Sequence, residues 1–481
     1  MKRLDRNQII AIYNQGPDAV VAVIEMLQDQ IDALEKRIER LEQMIHKDSH
    51  NSSKPPSSDI PKRLPQSLRE KSGRKKGGQL GHPGWTLSPV RKPDHVVRHS
   101  LRGQCTCGRM LNGVAQENVI RRQVFDIVLP QLEVTEHQAA TGVCGCGKKH
   151  TAAFPEGITG PVQYGHTLEG LILYLNSYHL LPLQRIQEFM GDVFKVPLSQ
   201  GTVRNIAQRA YLSLEETEEF IRRSIRASPV IHVDETRLSV GGKTQWLHSC
   251  GAENFTLYWS HEKRNTEAMK EAGVLTNYKG RAVHDYWYPY FQFGCSHALC
   301  NAHHLRELTF FEEELQQKWA GKMIRLLCTI KATVGRARRR NRDRIHPATR
   351  AAYWERYNTL LKEGYKTNPT PGIRRFPGKS GRRKQHPARN LLDRFTKHAH
   401  EVLAFMDDFS VPFDNNAAER DIRMVKVQQK ISGCFRSPFG AKSFCRIRSY
   451  IASVKKHGFN ILDYLIKLFN SNGNKLLLIP E

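Results

Sequence analysis

Three carboxylates in this chain stand where divalent cations could meet a phosphodiester. Asp234 ends the apolar part of PVIHVDETRLSV, Asp285 ends that of RAVHDYWYPY, and Glu419 lies in FDNNAAERDIRMVKVQQKISGCFRS. Carboxylates suit Mg²⁺ and Mn²⁺, and a pair of such ions activates a water or hydroxyl while steadying the departing oxygen. Arg420 follows Glu419, and Arg423, Lys426 and Lys430 fall at i+4, i+7 and i+11 from it, a basic stripe suited to a phosphate backbone. Taken singly, each acid also has a structural explanation: Asp234 holding a loop, Asp285 capping a turn, Glu419 pairing with Arg423. Their strand and helix contexts favour one shared site.

Thiols form a second constellation. Cys105-Thr-Cys107-Gly precedes Cys144-Gly-Cys146-Gly, with β-type sequence at Arg122–Ile127 and Leu132–Glu136 between them. Four thiolates suit a tetrahedral structural Zn²⁺ with no open position for catalysis, and each glycine lets the backbone turn under the ion. His150 is an alternative ligand, and free thiols are the competing reading. Cys295, Cys300, His303 and His304 make a weaker set, because adjacent histidines point to different faces of a helix. His303, Arg306 and Glu307 are instead expected to pack against the sheet or approach nucleic acid.

These residues need elements to position them. PVIHVDETRLSV, TQWLHSCGA and FTLYWSH read as three strands, the first two joined by a Gly241-Gly242 turn. The helix TEAMKEAG and the strand carrying Asp285 follow. That order matches a ribonuclease-H-like sheet, in which the first and fourth strands are neighbours and Asp234 and Asp285 can share an ion. A further acid then comes from a downstream helix, here one capped by Asp414 or Asn415 with Glu419 in its first turns.

Upstream, residues 166–226 read as helices. A break at Lys195–Pro197 and a cap at Ser199 give a helix-turn-helix with Gln200, Arg204 and Asn205 facing outward. Such a pair is also frequent in helical domains that read no DNA. Ile24, Leu27, Ile31, Leu34, Ile38, Leu41 and Ile45 follow strict 3-4 spacing, with Arg37 and Glu42 placed to pair across two parallel strands. Self-association as a coiled coil is expected; an amphipathic helix docked on the chain's own core is the alternative.

Charge supports a polyanion partner. Among 481 residues, 74 Lys and Arg face 47 acids, a net +27. Lys62, Arg63, Arg69, Lys71, Arg74, Lys75 and Lys76 lie among Pro, Ser and Gly in a segment read either as a phosphate-tracking linker or as a solubilising tether. GRARRRNRDR and RRFPGKSGRRKQH add further basic runs. The opening MKRLDRNQII lacks a signal-peptide core, and polar residues and Pro182 interrupt Leu168–Leu183, so no membrane span is expected. Ten cysteines without a leader indicate a reducing compartment. The expected location is the cytoplasm, nucleoid-associated when bound to DNA.

HVDET, the HDYW strand, CNAHHLRE and DNNAAERDIRMVKVQQKISGCFRSPFGA resemble the DDE transposases of the insertion-sequence-66 family. The heptad seam, SSKPPSSD, GGQLGHPG, the paired cysteines and the PVQYG–helix segment occur in the same order in that family. The first cysteine pair is a residue shorter than the family pattern, and His303-His304 stands where a single His is more usual. The resemblance implies that Asp234, Asp285 and Glu419 are the catalytic triad holding Mg²⁺ or Mn²⁺, and that a basic helical insertion separates the second and third acids. It also implies binding of terminal inverted repeats and target DNA, two-metal strand cleavage and strand transfer, and accessory proteins of the same element. A non-catalytic DNA-binding protein derived from a transposase is the main rival, and a ribonuclease of the same fold is another.

The expected architecture is α/β. A coiled coil (1–48), a basic linker (49–94), a zinc module (95–152) and a helical DNA-binding domain (153–227) come first. A ribonuclease-H-like domain (228–310 and 411–455) follows, interrupted by the insertion (311–410), and a C-terminal helix (456–481) ends the chain.

Overall fold

The computed structural model describes residues 6–45, 88–114, 119–126, 132–369 and 385–470. Lys62, Arg63, Arg69, Lys71, Arg74, Lys75 and Lys76 lie outside them, as does most of the 374–386 basic run. The described residues divide into two compact units, the smaller drawn from 64–135 and 192–196 and the larger from the rest.

Helix α1 (Arg6–Tyr13) is followed by α2 (Pro17–Ile45), with Gly16 at φ +101° before the proline that opens α2. The heptad seam does lie on one helix, and its Ile24, Leu27, Ile31 and Leu34 are exposed. In the smaller unit, Arg122–Asp126 forms no strand, and Val124 is exposed. Leu132–Glu136 forms none either, and Val134 is exposed; Ile127 lies outside the described residues. Alternating apolar residues make a strand only when a partner strand and a packing face are present, and among the described residues no strand pairs with these segments. The paired strands near the cysteines are instead β1 (Thr141–Val143) and β2 (Lys149–Thr151), antiparallel around the second pair.

Helices fill residues 166–227 as expected: α3 (His166–Leu173), a π turn (Tyr174–Tyr178), α4 (Leu183–Phe194), α5 (Gln200–Ser213) and α6 (Glu215–Ala227). Ser199 caps α5 by accepting the Thr202 N–H at 3.0 Å, and Gln200, Arg204 and Asn205 are exposed.

A mixed sheet follows. Strands β3 (Val230–Val240), β4 (Lys243–Gly251) and β5 (Thr256–His261) pair antiparallel. Gly241 and Gly242, at φ +56° and +76°, supply the positive dihedrals that the β3–β4 hairpin turn requires. After α7 (Thr266–Glu271), β6 (Arg281–His284) runs parallel to β3, and β7 (Ser296–Leu299) runs parallel to β6. The spatial order is β5-β4-β3-β6-β7, so the first and fourth strands of the sheet are neighbours.

Beyond the sheet come α8 (Asn301–Glu313), α9 (Lys318–Arg339), α10 (Pro347–Thr367), α11 (Pro387–Lys397) and the short α12 (Ala399–Val402) and α13 (Ala404–Asp407). Their core joins that of the sheet's β6–β7 side: Leu326, Leu327, Leu392 and Phe395 cluster with Val283, Ala298 and Leu299. On the β3–β5 side, α14 (Asn416–Ser432) and α15 (Pro438–Lys456) bury Ile422, Val425 and Ala441 against Leu238, Leu247 and Tyr258. Strand β5 would expose an unpaired edge, but Ser449 and Ser453 of α15 accept the Tyr258 and Thr256 N–H groups at 2.8 and 3.1 Å. The last helix, α16 (Ile461–Asn470), packs on α3, where a side chain at Gly170 would meet Ile466 Cα at 2.9 Å. No described helix is long and apolar enough to cross a membrane.

Candidate active site

The β3–β6 pairing carries the first two acids to one place. His232 is in register with Val283, and Asp234 and Asp285 each stand two residues further along in parallel strands. Asp285 lies just past the end of β6, held by accepting the Trp287 N–H at 2.9 Å. Asp234 accepts the Glu235 N–H at 2.8 Å.

The third acid comes from α14. Asn415 occupies its N-cap position, but the side chain does not cap it, contrary to one of the two expected caps. It turns to β3 instead. Asn415 Nδ2 donates to Val233 O at 2.9 Å, and Oδ1 faces His232 Nδ1 at 2.8 Å. The Asn415 N–H donates to Cys300 Sγ at 3.1 Å, at the start of α8. Asp414 accepts the Asn416 N–H at 3.2 Å in its place. A buried Asn thus ties the strand of Asp234 to the helix of Glu419 and the helix of His303. Its hydrogen bonds satisfy groups that burial would otherwise leave costly.

Electrostatics record the convergence. Burial, then the charges of Glu235, Asp285 and Glu419, push the Asp234 carboxyl well above the usual range. Glu235 is raised to about 7, first by burial and then by Asp285, even though Arg264 and the Tyr290 hydroxyl both donate to it. Arg264 Nη2 also lies 3.9 Å from Asp285 Oδ2, and the guanidinium sits 4.4 Å from the Trp287 ring and 5.1 Å from that of Trp246. Glu419 Oε1 is buried without a hydrogen-bond partner among the described residues. Crowded carboxylates with an unsatisfied oxygen are the donor set that a hard divalent cation requires, so the residues present fit such an ion.

Sequence reading named His303 but set it aside as a ligand, and it missed Arg264 and the tether made by Asn415. His303 Nε2 lies 4.0 Å from Glu419 Oε1. Its spacing of three from Cys300 at the start of α8 was the available signal. His304 faces away, hydrogen-bonding Asn301 at 3.1 Å and stacking edge-on with Phe395. Glu307 holds Arg394 of α11 at 2.7 Å. Of the basic stripe, Arg420, Arg423 and Lys430 are exposed, whereas Lys426 is half-buried and donates to Arg237 O at 3.3 Å. Cys295 and Cys300 are buried thiols; only Cys300 joins a metal-compatible group, with His303 and Glu419.

The two cysteine pairs build the same turn. Gly108 N–H donates to Cys105 O and Gly147 N–H to Cys144 O, both at 2.8 Å, with φ of +88° and +83° at those glycines. Backbone N–H groups of Cys107 and Cys146 lower the Cys105 and Cys144 thiols respectively, and all four cysteines are free. Cys105 and Cys107 lie in the smaller unit, Cys144 and Cys146 in the larger.

The site is thus an acidic cluster mounted on a mixed α/β sheet. Residues 161–443 match the model of the Transposase IS66 family, more than half of the chain, and the protein belongs to that family. Membership makes it a transposase and implies DNA as its partner. Residues 8–88 match a family of unknown function, DUF6444. Comparison with curated proteins gives no match.

Proposed function

We propose that this transposase is catalytically active, with Asp234, Asp285 and Glu419 as its DDE triad. The observation that carries this reading is that the β3–β6 register brings Asp234 and Asp285 to one place while Asn415 ties α14, which carries Glu419, to β3 beside them. The strand order and directions support a ribonuclease-H-like fold with the helices of 311–410 as its insertion.

The triad would hold Mg²⁺ or Mn²⁺, which when bound supplies an activated water or 3′-hydroxyl and stabilisation of the leaving oxygen. Arg264 keeps Glu235 and Asp285 from repelling the site apart, and Asn415 fixes α14 against β3. Arg420, Arg423, Lys426 and Lys430 orient the phosphate backbone along α14. With an ordinary water and then a DNA 3′ end as nucleophiles, the products are cleaved ends joined to target DNA.

Recognition of the terminal inverted repeats is assigned to Arg204 and its neighbours on α5 and to the linker cations Lys62, Arg63, Arg74, Lys75 and Lys76. The exposed Ile24, Leu27, Ile31 and Leu34 of α2 support self-association as a parallel coiled coil. The repeated Cys-x-Cys-Gly turn supports structural Zn²⁺ binding as the role of Cys105 and Cys107 and of Cys144 and Cys146. Accessory proteins of the same element complete the set of expected partners.

The test is a set of single substitutions, Asp234→Asn, Asp285→Asn and Glu419→Gln, assayed for binding of the element's ends and for strand joining. Each is expected to bind and not to join. Joining by any of them removes that acid from the triad.

A further inference from the structure

Cys300 Sγ, a ring nitrogen of His303 and a carboxylate oxygen of Glu419 all lie within 4.8 Å of one another. Chain topology brings them together, since α8 and α14 are separated by the helical insertion. Cys300 is already engaged by the Asn415 N–H. His303 and Glu419 are not engaged. Their facing atoms are 4.0 Å apart, too far for a hydrogen bond yet within the span of two ligand bonds of about 2.1 Å each. Glu419 Oε1, the atom that faces His303 Nε2, is buried without a hydrogen-bond partner among the described residues; the other ring nitrogen, Nδ1, is not the facing atom. A buried carboxylate oxygen left without a partner is costly unless something beside it is bound, and the ring nitrogen nearest to it is His303 Nε2.

We propose that His303 is a nitrogen ligand to the divalent ion held by Glu419, so that this position takes Mn²⁺ in preference to Mg²⁺. An all-oxygen set suits Mg²⁺, whereas an imidazole donor favours transition ions. His304 cannot serve, because it is turned to Asn301 and Phe395. The inference rests on the proposed metal-binding role of the triad, and it adds a residue that is not one of the three acids.

The experiment uses the metal-free full-length protein without DNA. Mn²⁺ binding is followed by the loss of the free-ion electron paramagnetic resonance signal, and Mg²⁺ binding by competition against Mn²⁺. His303→Ala is expected to weaken Mn²⁺ at least about 10-fold, and Mg²⁺ by less than about 3-fold. His303→Gln, which keeps side-chain bulk and offers an amide oxygen, is expected to bind Mg²⁺ as wild type does while losing the preference for Mn²⁺. Asp234→Asn should weaken both ions. Should Asp234→Asn weaken binding while both His303 variants match wild type, or lose Mn²⁺ and Mg²⁺ equally, His303 is no ligand and the triad reading survives. Should wild type bind neither ion, the metal-holding triad fails and this inference fails with it.

Discussion

Asn415→Ala tests how the third acid is positioned. The substitution deletes the bonds to Val233 O at 2.9 Å and His232 Nδ1 at 2.8 Å, leaving both partners unsatisfied beside the site. At about 1–3 kcal/mol for each buried group left unpaired, the tether is worth roughly 2–6 kcal/mol. The backbone bond to Cys300 Sγ survives, so α14 stays folded but loses its lateral anchor to β3. A displacement of about 1 Å at a reacting group costs on the order of 100-fold in rate. That is about 2.7 kcal/mol of barrier, within the energy the tether supplies. Strand joining by Asn415→Ala should therefore fall about 100-fold, while binding of the element's ends stays at the wild-type level. The assay is a single-turnover joining reaction, with circular dichroism to confirm the fold. A folded Asn415→Ala that joins at the wild-type rate would show that α14 is located by its packing on β3 and β4 alone, and the reasoning would be wrong.

Further consequences can be measured. Asp234→Asn removes a carboxyl whose ionisation burial and three neighbouring acids oppose, so the metal-free variant should melt above wild type at pH 7 and should lose the stabilisation that added Mn²⁺ gives wild type. His248, buried and stacked on Trp259 at 5.2 Å, is lowered by burial to about 4. The unfolded chain binds its proton near pH 6.5 and the folded chain only near 4, so stability is full above about 6.5 and about 3 kcal/mol is lost as pH falls to 4. His248→Phe should flatten that acid limb in pH-dependent unfolding, and an unchanged limb would place the titration elsewhere. Arg423→Ala removes an exposed cation of the α14 stripe and should weaken duplex binding evenly across sequences, reducing the salt slope by about 1.

The sheet was legible because its chemistry is local. Apolar strands broken by Gly241-Gly242 and ended by Asp234 and Asp285 carry their own period and turn residues. The fourth strand sits beside the first, as that pattern requires. The four-residue β7 escaped notice because SHAL is too short to show an alternation and owes its pairing to β6. Arg122–Asp126 and Leu132–Glu136 failed for the converse reason: they have an alternating pattern and, among the described residues, no strand to pair with. Asp-Asn-Asn before a helix reads as a cap, and only the neighbouring strand shows that Asn415 spends its amide on Val233 instead. His303 was set aside because its sequence neighbour His304 spoiled the set, whereas its partner in space, Glu419, lies on a helix that follows α9 to α13 in the chain.

The central claim is that the converging acids perform metal-dependent DNA strand transfer. The most direct test incubates the protein with a plasmid carrying the element's ends in Mg²⁺ or Mn²⁺, wild type beside Glu419→Gln, with EDTA as control. Joined products from wild type, absent with EDTA and absent from a Glu419→Gln variant that still binds the ends, are the predicted result. Equal joining by both proteins, or ends bound and never cut by wild type even with the element's other proteins present, would contradict it.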